Sequence, residues 1–272
     1  MIWAAVANGY VSTDGANTWK PLGPGLPGRG DFQPGVKDFA VDPLHPDVLY
    51  AATQRGVFRS TDGGATGFNV LRSGDGGQSW RSLDVPWPGW DSNLAVDPIT
   101  PTRVYFGGMK EGVPCVRISE DEGESWHEVT LTLPVTFANW SGWTSVVAPS
   151  PGDHGHILAG LTLVPPHEGS WLGGVYVSDD YGEHWQYIDV GRPISLVTEI
   201  VYDPLDPAVV YAGIDGSGLL KSSDGGITWQ HLSSWPGPGI ITAIALHPSH
   251  SGEIFVVWSP LLHKRAVKRG GK

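Results

Sequence analysis

The sequence predicts an all-β protein assembled from a repeated four-stranded unit, and three observations carry that prediction. The first is an eight-residue pattern, Ser-x-Asp-x-Gly-x-Thr-Trp, cleanest at Ser222–Trp229. It recurs at Ser12–Trp19, Ser73–Trp80, Ser119–Trp126 and Ser178–Trp185, and a degenerate copy runs from Ser60 to Thr66 with Gly67 in place of the Trp. The second is an Asp-Pro segment between two apolar runs, at Val41–Ala52, Val96–Gly107 and Tyr202–Gly213, with weaker copies centred on Pro149 and Pro248. The third is composition: Gly 38 and Pro 23 punctuate short β-rich runs, and no useful length of the chain carries an apolar stripe of helical period.

Each element of the unit follows from its residues. The Asp-Pro segment joins a first strand (A) to a second (B), because proline cannot donate to a ladder and fixes the turn. A loop leads to strand C. The Ser-x-Asp pattern then reads as a pinned turn into strand D. Ser and Asp side chains bond nearby backbone N–H groups, and glycines supply φ > 0. The Trp that follows is an apolar plate with one N–H donor, suited to packing between layers. The proline anchors at 43, 98, 149, 204 and 248 are separated by 55, 51, 55 and 44 residues. Four short antiparallel strands per ~40–55 residues is the arithmetic of a β-propeller blade.

Units are predicted at 38–84, 94–130, 144–190 and 197–233. The N-terminus opens on a B-like strand, Ile2 to Ala7, and the C-terminus ends on an A strand (Ile240 to Leu246) and a B-like strand (Glu253 to Trp258). One blade shared by the two ends would close a five-bladed ring, with a six-bladed or incomplete ring as the alternative. The irregular place is Asp62 and Asp75, only 13 residues apart. There, residues 67–72 read as strand C of a unit that either carries an extra hairpin or has lost its own A and B strands. The propeller is expected over 1–260 as a single domain, followed by a basic, disordered tail at 261–272.

Charge and composition exclude several functions. The net charge is −11, and five of the 17 basic residues lie in the last nine positions, so the body is more acidic still. Nucleic-acid binding needs a basic face and is not expected. No run approaches the ~18 apolar residues of a membrane span, so no membrane insertion is expected. Cys115 is the only cysteine, which precludes an internal disulfide, and it is expected to be buried rather than reactive. The first residues lack a basic n-region and a long apolar core, so no signal peptide is read, and export stays open if a leader precedes this chain. No phosphate-binding Gly-rich loop precedes a helix, and no cofactor is expected. Asp153, His154 and His156 fit no strong metal template, and no metal site is assigned.

The two interleaved motifs resemble those of the Asp-box, or BNR-like, β-propeller proteins, over nearly the whole chain up to about Trp258. Families built this way include sialidases, xyloglucanase-type glycoside hydrolases, the sortilin-type receptor domain and photosystem II assembly factors. The Val-Tyr-Ala-Gly and Ser-x-Asp-Gly-Gly style is most similar to the xyloglucanase group. The resemblance implies that the A–B and C–D turns share one face and that the B–C and D–A loops form the opposite, binding face. Asp14, Asp62, Asp75, Asp121, Asp180 and Asp224 are then structural turn residues. The binding face carries Trp87, Trp90, Trp140, Trp143, Trp171 and Trp235, rings that would stack on sugar faces or anchor a protein partner.

A glycosidase needs two carboxylates across a cleft. Candidates on the loop face are Asp91, Glu111, Glu168, Glu199 and Asp215. Asp215, in Gly213-Ile214-Asp215-Gly216-Ser217-Gly218, is similar to the xyloglucanase loop holding a catalytic Asp before a Gly pair, although Ser217 interrupts the pair. Xyloglucanases also form their cleft between two propellers, and one is present here. A sialidase is not expected, because that family's arginine triad is missing: Arg55 and Arg192 are two, and Gly191-Arg192-Pro193-Ile194 is not the required segment. The sequence therefore favours a non-catalytic scaffold presenting a Trp-rich face to a glycan or protein, with a xyloglucanase-type hydrolase acting on β-glucan as the alternative.

Overall fold

The computed structural model describes residues 2–4, 10–14, 16–21, 36–53, 69–83, 85, 93–134, 139–166, 170–191, 194–232, 239–250 and 252–260. All regular structure in them is β, and no helix is long and apolar enough to cross a membrane. Four sheets are consecutive four-stranded antiparallel meanders, the blades of a β-propeller. Blade I comprises β4 (Val36–Val41), β5 (Leu49–Thr53), β6 (Asn69–Ser73) and β7 (Arg81–Leu83). Blade II comprises β8 (Leu94–Val96), β9 (Val104–Lys110), β10 (Val113–Ser119) and β11 (His127–Thr130). Blade III comprises β12 (Ser141–Pro149), β13 (Ile157–Val164), β14 (Leu172–Ser178) and β15 (Gln186–Ile188). Blade IV comprises β16 (Val197–Tyr202), β17 (Val210–Ile214), β18 (Gly218–Ser222) and β19 (Gln230–His231). The predicted units coincide with these blades to within a few residues.

The chain ends depart from the expectation. The strands β1 (Ile2–Ala4), β2 (Tyr10–Ser12) and β3 (Lys20–Pro21) form one sheet, and β20 (Gly239–Leu246) with β21 (Ile254–Pro260) form another. Among the described residues no strand of one sheet pairs with a strand of the other. Register gives the reason. Ile2 opposes Ser12 as Leu49 opposes Ser73, and Leu246 opposes Ile254 as Val41 opposes Leu49. Both β1 and β21 are therefore second strands, and one blade has room for one.

The irregular region resolves into a single blade. β6 pairs directly with β5, from Leu49↔Ser73 to Thr53↔Asn69, so its A and B partners are present. The extra length falls between strands B and C, with Asp62 outside the described residues.

Both turns repeat with one geometry. In the C–D turn the serine hydroxyl accepts a backbone N–H four residues on, from Ala16, Gly77, Gly123, Gly182 and Gly226 at 2.8–2.9 Å. It donates to the aspartate two residues on, at 2.7–2.8 Å. Ser12, Ser73, Ser119, Ser178 and Ser222 are all buried. In the A–B turn the N–H of the first residue bonds the carbonyl six residues later: Asp42 to Val48, Asp97 to Arg103, Ser150 to His156, Asp203 to Val209 and His247 to Glu253. The third copy is thus anchored at Ser150-Pro151 rather than Pro149. The two turns touch, because Gly76, Glu122, Tyr181 and Gly225 donate N–H bonds to Asp47, Thr102, Gly155 and Ala208. They share one face, as the resemblance implies.

The core lies between blades. One apolar cluster joins blade III to blade IV through Val146, Leu158, Val175, Val197, Ile200 and Trp229. Others join I to II and II to III. Full burial of a Leu, Ile or Val contributes ~1.5–3 kcal/mol, so these seams dominate stability. The turn glycines seat them. Gly226 has φ +99°, and a Cβ there would stand 2.6 Å from Leu158 Cδ1 of the preceding blade. Gly191 has φ +80° with nothing within 4 Å. Gly226→Ala is expected to cost about 2–4 kcal/mol in urea unfolding, backbone strain plus overpacking, and Gly191→Ala about 1–2 kcal/mol from strain alone. Equal losses would refute the seam contact.

Candidate functional site

Strand direction places the B–C turns and D–A connections at the end of the blades opposite the paired turns. Two tryptophans of blade III meet there. Trp143 lies near the start of β12, and Trp171 just precedes β14; their rings stand 5.7 Å apart, edge to face at 89°. Trp171 is 51% exposed, whereas Trp143 is half-buried, its Nε1 without a partner among the described residues. An aromatic edge anchored by a second ring is rigid and open to an apolar face.

A short strap ties this pair to blade IV. Gly173 N–H donates to Ile194 O at 2.6 Å, and a Cβ at Gly173 would stand 1.8 Å from Ser195 O, so only glycine admits this approach. Ser195 Oγ donates to the carbonyl of Asp215, and Asp215 N–H donates to Leu196 O at 3.0 Å. Residues 194–196 are thus held between the Trp-bearing end of blade III and the B–C loop of blade IV. Gly216 and Gly218, with φ +69° and +83°, turn that loop, and Gly216 N–H donates to Gly239 O at 2.9 Å. The Oδ1 of Asp215 is buried with no hydrogen-bond partner among the described residues, and burial pushes its carboxyl above the usual range. Burial of this kind favours the neutral form relative to a solvent-exposed carboxyl.

A pair of carboxyls lies on the first strands, which contact one another in chain order. Asp38 of β4, Asn93 just before β8 and Glu199 of β16 hold equivalent register positions, three residues before Val41, Val96 and Tyr202. Asp38 accepts bonds from Phe39 N–H, Leu94 N–H and Asn93 Nδ2, and Asn93 Oδ1 accepts Val147 N–H at 2.9 Å. These side chains clip blade I to II and II to III. Burial raises Asp38 to about 6 against the pull of its three donors. Burial, and then the charge of Asp38, raises Glu199 to about 7. Both side chains are half-buried, reached by solvent yet surrounded by strands.

The predicted residues distribute as follows. The strap links the chain segments that carry Trp143, Trp171 and Asp215. Trp140 packs against the cluster containing Leu161 and Leu163, so its ring belongs to the seam between blades II and III. Trp87, Trp90, Trp235, Asp91 and Glu168 lie outside the described residues, as do Arg55 and Arg192. Glu111 is an exposed turn residue with φ +52° between β9 and β10. Asp14, Asp75 and Asp121 sit in their turns, held near pKa 2 by hydrogen bonds from the hydroxyl and N–H of Thr18, Ser79 and Ser125. Fully ionised and saturated with donors, they are poor acids and poor nucleophiles. Asp180 and Asp224 bond in the same way. Cys115 is buried, and burial raises its thiol. His156 turns one nitrogen to Asp179 Oδ1 (2.6 Å) and the other to Gly225 O (2.7 Å), so both ring nitrogens already face protein partners. Asp38 was not read from the sequence; its signal was an acidic residue four before the Asp-Pro turn, the same offset as Glu199.

Fold and loop face together define a β-propeller with an aromatic and acidic surface at one end. No protein-family model matches the chain. Among curated proteins it is 27% identical over 239 residues to a probable oligoxyloglucan-reducing end-specific xyloglucanase of Neosartorya fischeri, covering 85% of this chain and 27% of that protein. It is 32% identical over 241 residues to a xyloglucanase of Acetivibrio thermocellus, covering 77% and 26% respectively. The chain therefore spans about a quarter of the length of these relatives. Among solved structures, the GH93 α-L-arabinofuranosidase of Fusarium graminearum in complex with arabinobiose superposes with a TM-score of 0.60 at 14% identity, over 95% of this chain and 80% of that one. That likeness establishes the fold.

The raised carboxyl at Glu199 has a thermodynamic consequence. A carboxyl whose folded pKa exceeds its unfolded value stabilises the fold least when ionised. Stability is then greatest below the unfolded value near 4.5 and is lost as pH rises toward about 7. Between pH 5 and pH 8 the Tm is expected to fall. Glu199→Gln, which cannot ionise, is expected to recover on the order of 2 kcal/mol at pH 8, discounted for solvent access, and little at pH 5. A uniform effect at both pH values would refute the shift.

Proposed function

We propose that this propeller is a glycoside hydrolase module of the xyloglucanase type, acting on a β-glucan polysaccharide laid across the loop face of blades III and IV. Its curated relatives bear xyloglucanase names at 24–32% identity across most of the chain, and this similarity carries the reading. The geometry supports it. Trp171 offers an exposed ring on which a pyranose face stacks, and Asp215 offers a carboxyl whose pKa burial raises, the direction a general acid needs in order to protonate a leaving glycosidic oxygen.

A second reading rests on one observation. Burial is the whole cause of the Asp215 shift, with no second carboxylate acting on it among the described residues. Hydrolysis by paired carboxyls requires such a partner. Without one, the same face binds the polysaccharide and does not cleave it.

One set of measurements separates the two readings. On the hydrolase reading the protein releases new reducing ends from xyloglucan. Asp215→Asn then lowers kcat by roughly 10²–10⁴-fold, the range typical of a lost acid–base group. Trp171→Ala weakens binding roughly tenfold on either reading, followed by the change in Trp fluorescence on titration. Binding without reducing-end release establishes the second reading. Neither binding nor release from xyloglucan would refute both.

A further inference from the structure

The A–B turn has the same backbone in all five described copies, and its positions 1, 4 and 7 are drawn together. Position 1 donates its N–H to the carbonyl of position 7, and position 7 donates its N–H to the carbonyl of position 4. The side chain at position 1 then caps the turn by accepting the N–H of position 3. Asp42 takes Leu44, Asp97 takes Ile99, Ser150 takes Gly152, Asp203 takes Leu205 and His247 takes Ser249. In the C-terminal sheet an imidazole has therefore replaced the carboxylate or hydroxyl, and Nδ1 does the work of an Oδ1. The turn also brings side chains 1 and 4 into contact, as Asp42 Oδ2 and His45 Nδ1 at 3.0 Å demonstrate in blade I.

Positions 1, 4 and 7 read Asp42/His45/Val48, Asp97/Thr100/Arg103, Ser150/Asp153/His156 and Asp203/Asp206/Val209 in the four blades. In the C-terminal sheet they read His247/His250/Glu253. The two imidazoles approach Nδ1 to Nδ1 at 2.8 Å, with ring centroids 4.3 Å apart. Ligand atoms of all three residues lie within 4.8 Å of one another, the only such triad among the described residues. His250 and Glu253 are exposed and His247 half-buried, so solvent reaches the site. His45, His127, His156 and His184 each face one carboxylate.

We propose that His247, His250 and Glu253 form a binding site for a first-row divalent metal of borderline softness, with Zn²⁺ as the ion it fits. Two imidazole nitrogens and one carboxylate oxygen are a three-ligand zinc set that leaves one position for water. At Zn–N and Zn–O lengths of about 2.0–2.1 Å, tetrahedral donor atoms sit roughly 3.3 Å apart. The rings need to part by about half an ångström from their present contact, and the Glu253 carboxylate to swing inward, movements open to exposed side chains. The ion takes the place of the direct Nδ1–Nδ1 contact. Ser249 N–H, which then loses its acceptor, turns to water. The site lies at the turn end of the C-terminal sheet, away from Trp171 and Asp215, and is independent of the polysaccharide reading.

The test uses the full chain, stripped with EDTA, dialysed and titrated with Zn²⁺ by calorimetry, with Co²⁺ visible absorption reporting coordination. The parent is expected to bind one zinc per chain and to give intense tetrahedral Co²⁺ bands. His250→Ala and Glu253→Gln are each expected to weaken zinc at least tenfold and to lose those bands. Metal-free unfolding midpoints of both variants are expected to match the parent, since each retains the backbone bonds of the turn. If His250→Ala unfolds, Glu253→Gln alone decides the question. No saturable binding by the parent, or equal affinity in parent and folded variants, overturns the site.

Discussion

A single serine hydroxyl at the base of each blade organises what lies above it. Buried and two-sided, Oγ receives a backbone N–H from four residues on and donates to the aspartate two residues on. That pair of bonds fixes the turn and so the register of strand D against strand C. It also forces positive φ at consecutive positions, tolerated even by Glu122 and Tyr181. The second of these positions, usually glycine, is pressed against the neighbouring blade, where Leu83, Ile118 and Leu158 meet Gly123, Gly182 and Gly226. The following tryptophan closes the turn, its Nε1 donating to the glycine carbonyl in Trp80, Trp126 and Trp229. Local hydrogen bonding and the apolar seams between blades are thus one construction.

The other end of the blades is held differently. Side chains reach from one blade to the next: Asp38 to Leu94, Asn93 to Val147, and Ser145 Oγ to Val197 O at 2.7 Å. The cost is a pair of carboxyls in a desolvated place, with Glu199 the member that has no hydrogen-bond donor among the described residues and so the one held protonated longest. The strap at 194–196 works by the same principle, using backbone groups to tie the Trp143–Trp171 edge to the Asp215 loop. Rigid inter-blade fastening gives loops a fixed platform, the condition for binding or chemistry on an otherwise variable surface.

Much of the fold was legible because its signals are local. Serine, aspartate and glycine at fixed offsets fold one way wherever they occur, so the turns, the four central units and the structural standing of Asp75, Asp121, Asp180 and Asp224 follow from spacing. Less of the site was legible. Trp140 and Trp171 are alike as letters, yet one fills a seam and the other faces solvent, because burial depends on the adjoining blade. Glu199 stood out as a loop-face acid, but its relation to Asp38 crosses some 160 residues and passes through β-bulges that shift register in β4 and β16. The histidine at position 247 hid for another reason: an imidazole was doing a carboxylate's task, which only the Ser249 hydrogen bond reveals.

The sequence by itself determined the repeat and the strand order within a blade, since these depend on interactions between residues close in the chain. Only the tertiary structure decided that the terminal strands form separate sheets, that residues 69–73 complete blade I, and which tryptophan and which carboxyls share a surface. Those outcomes rest on register and on contacts between blades. Competition for one strand position, or a Cβ that would strike a neighbouring carbonyl, arises only when distant segments are brought together.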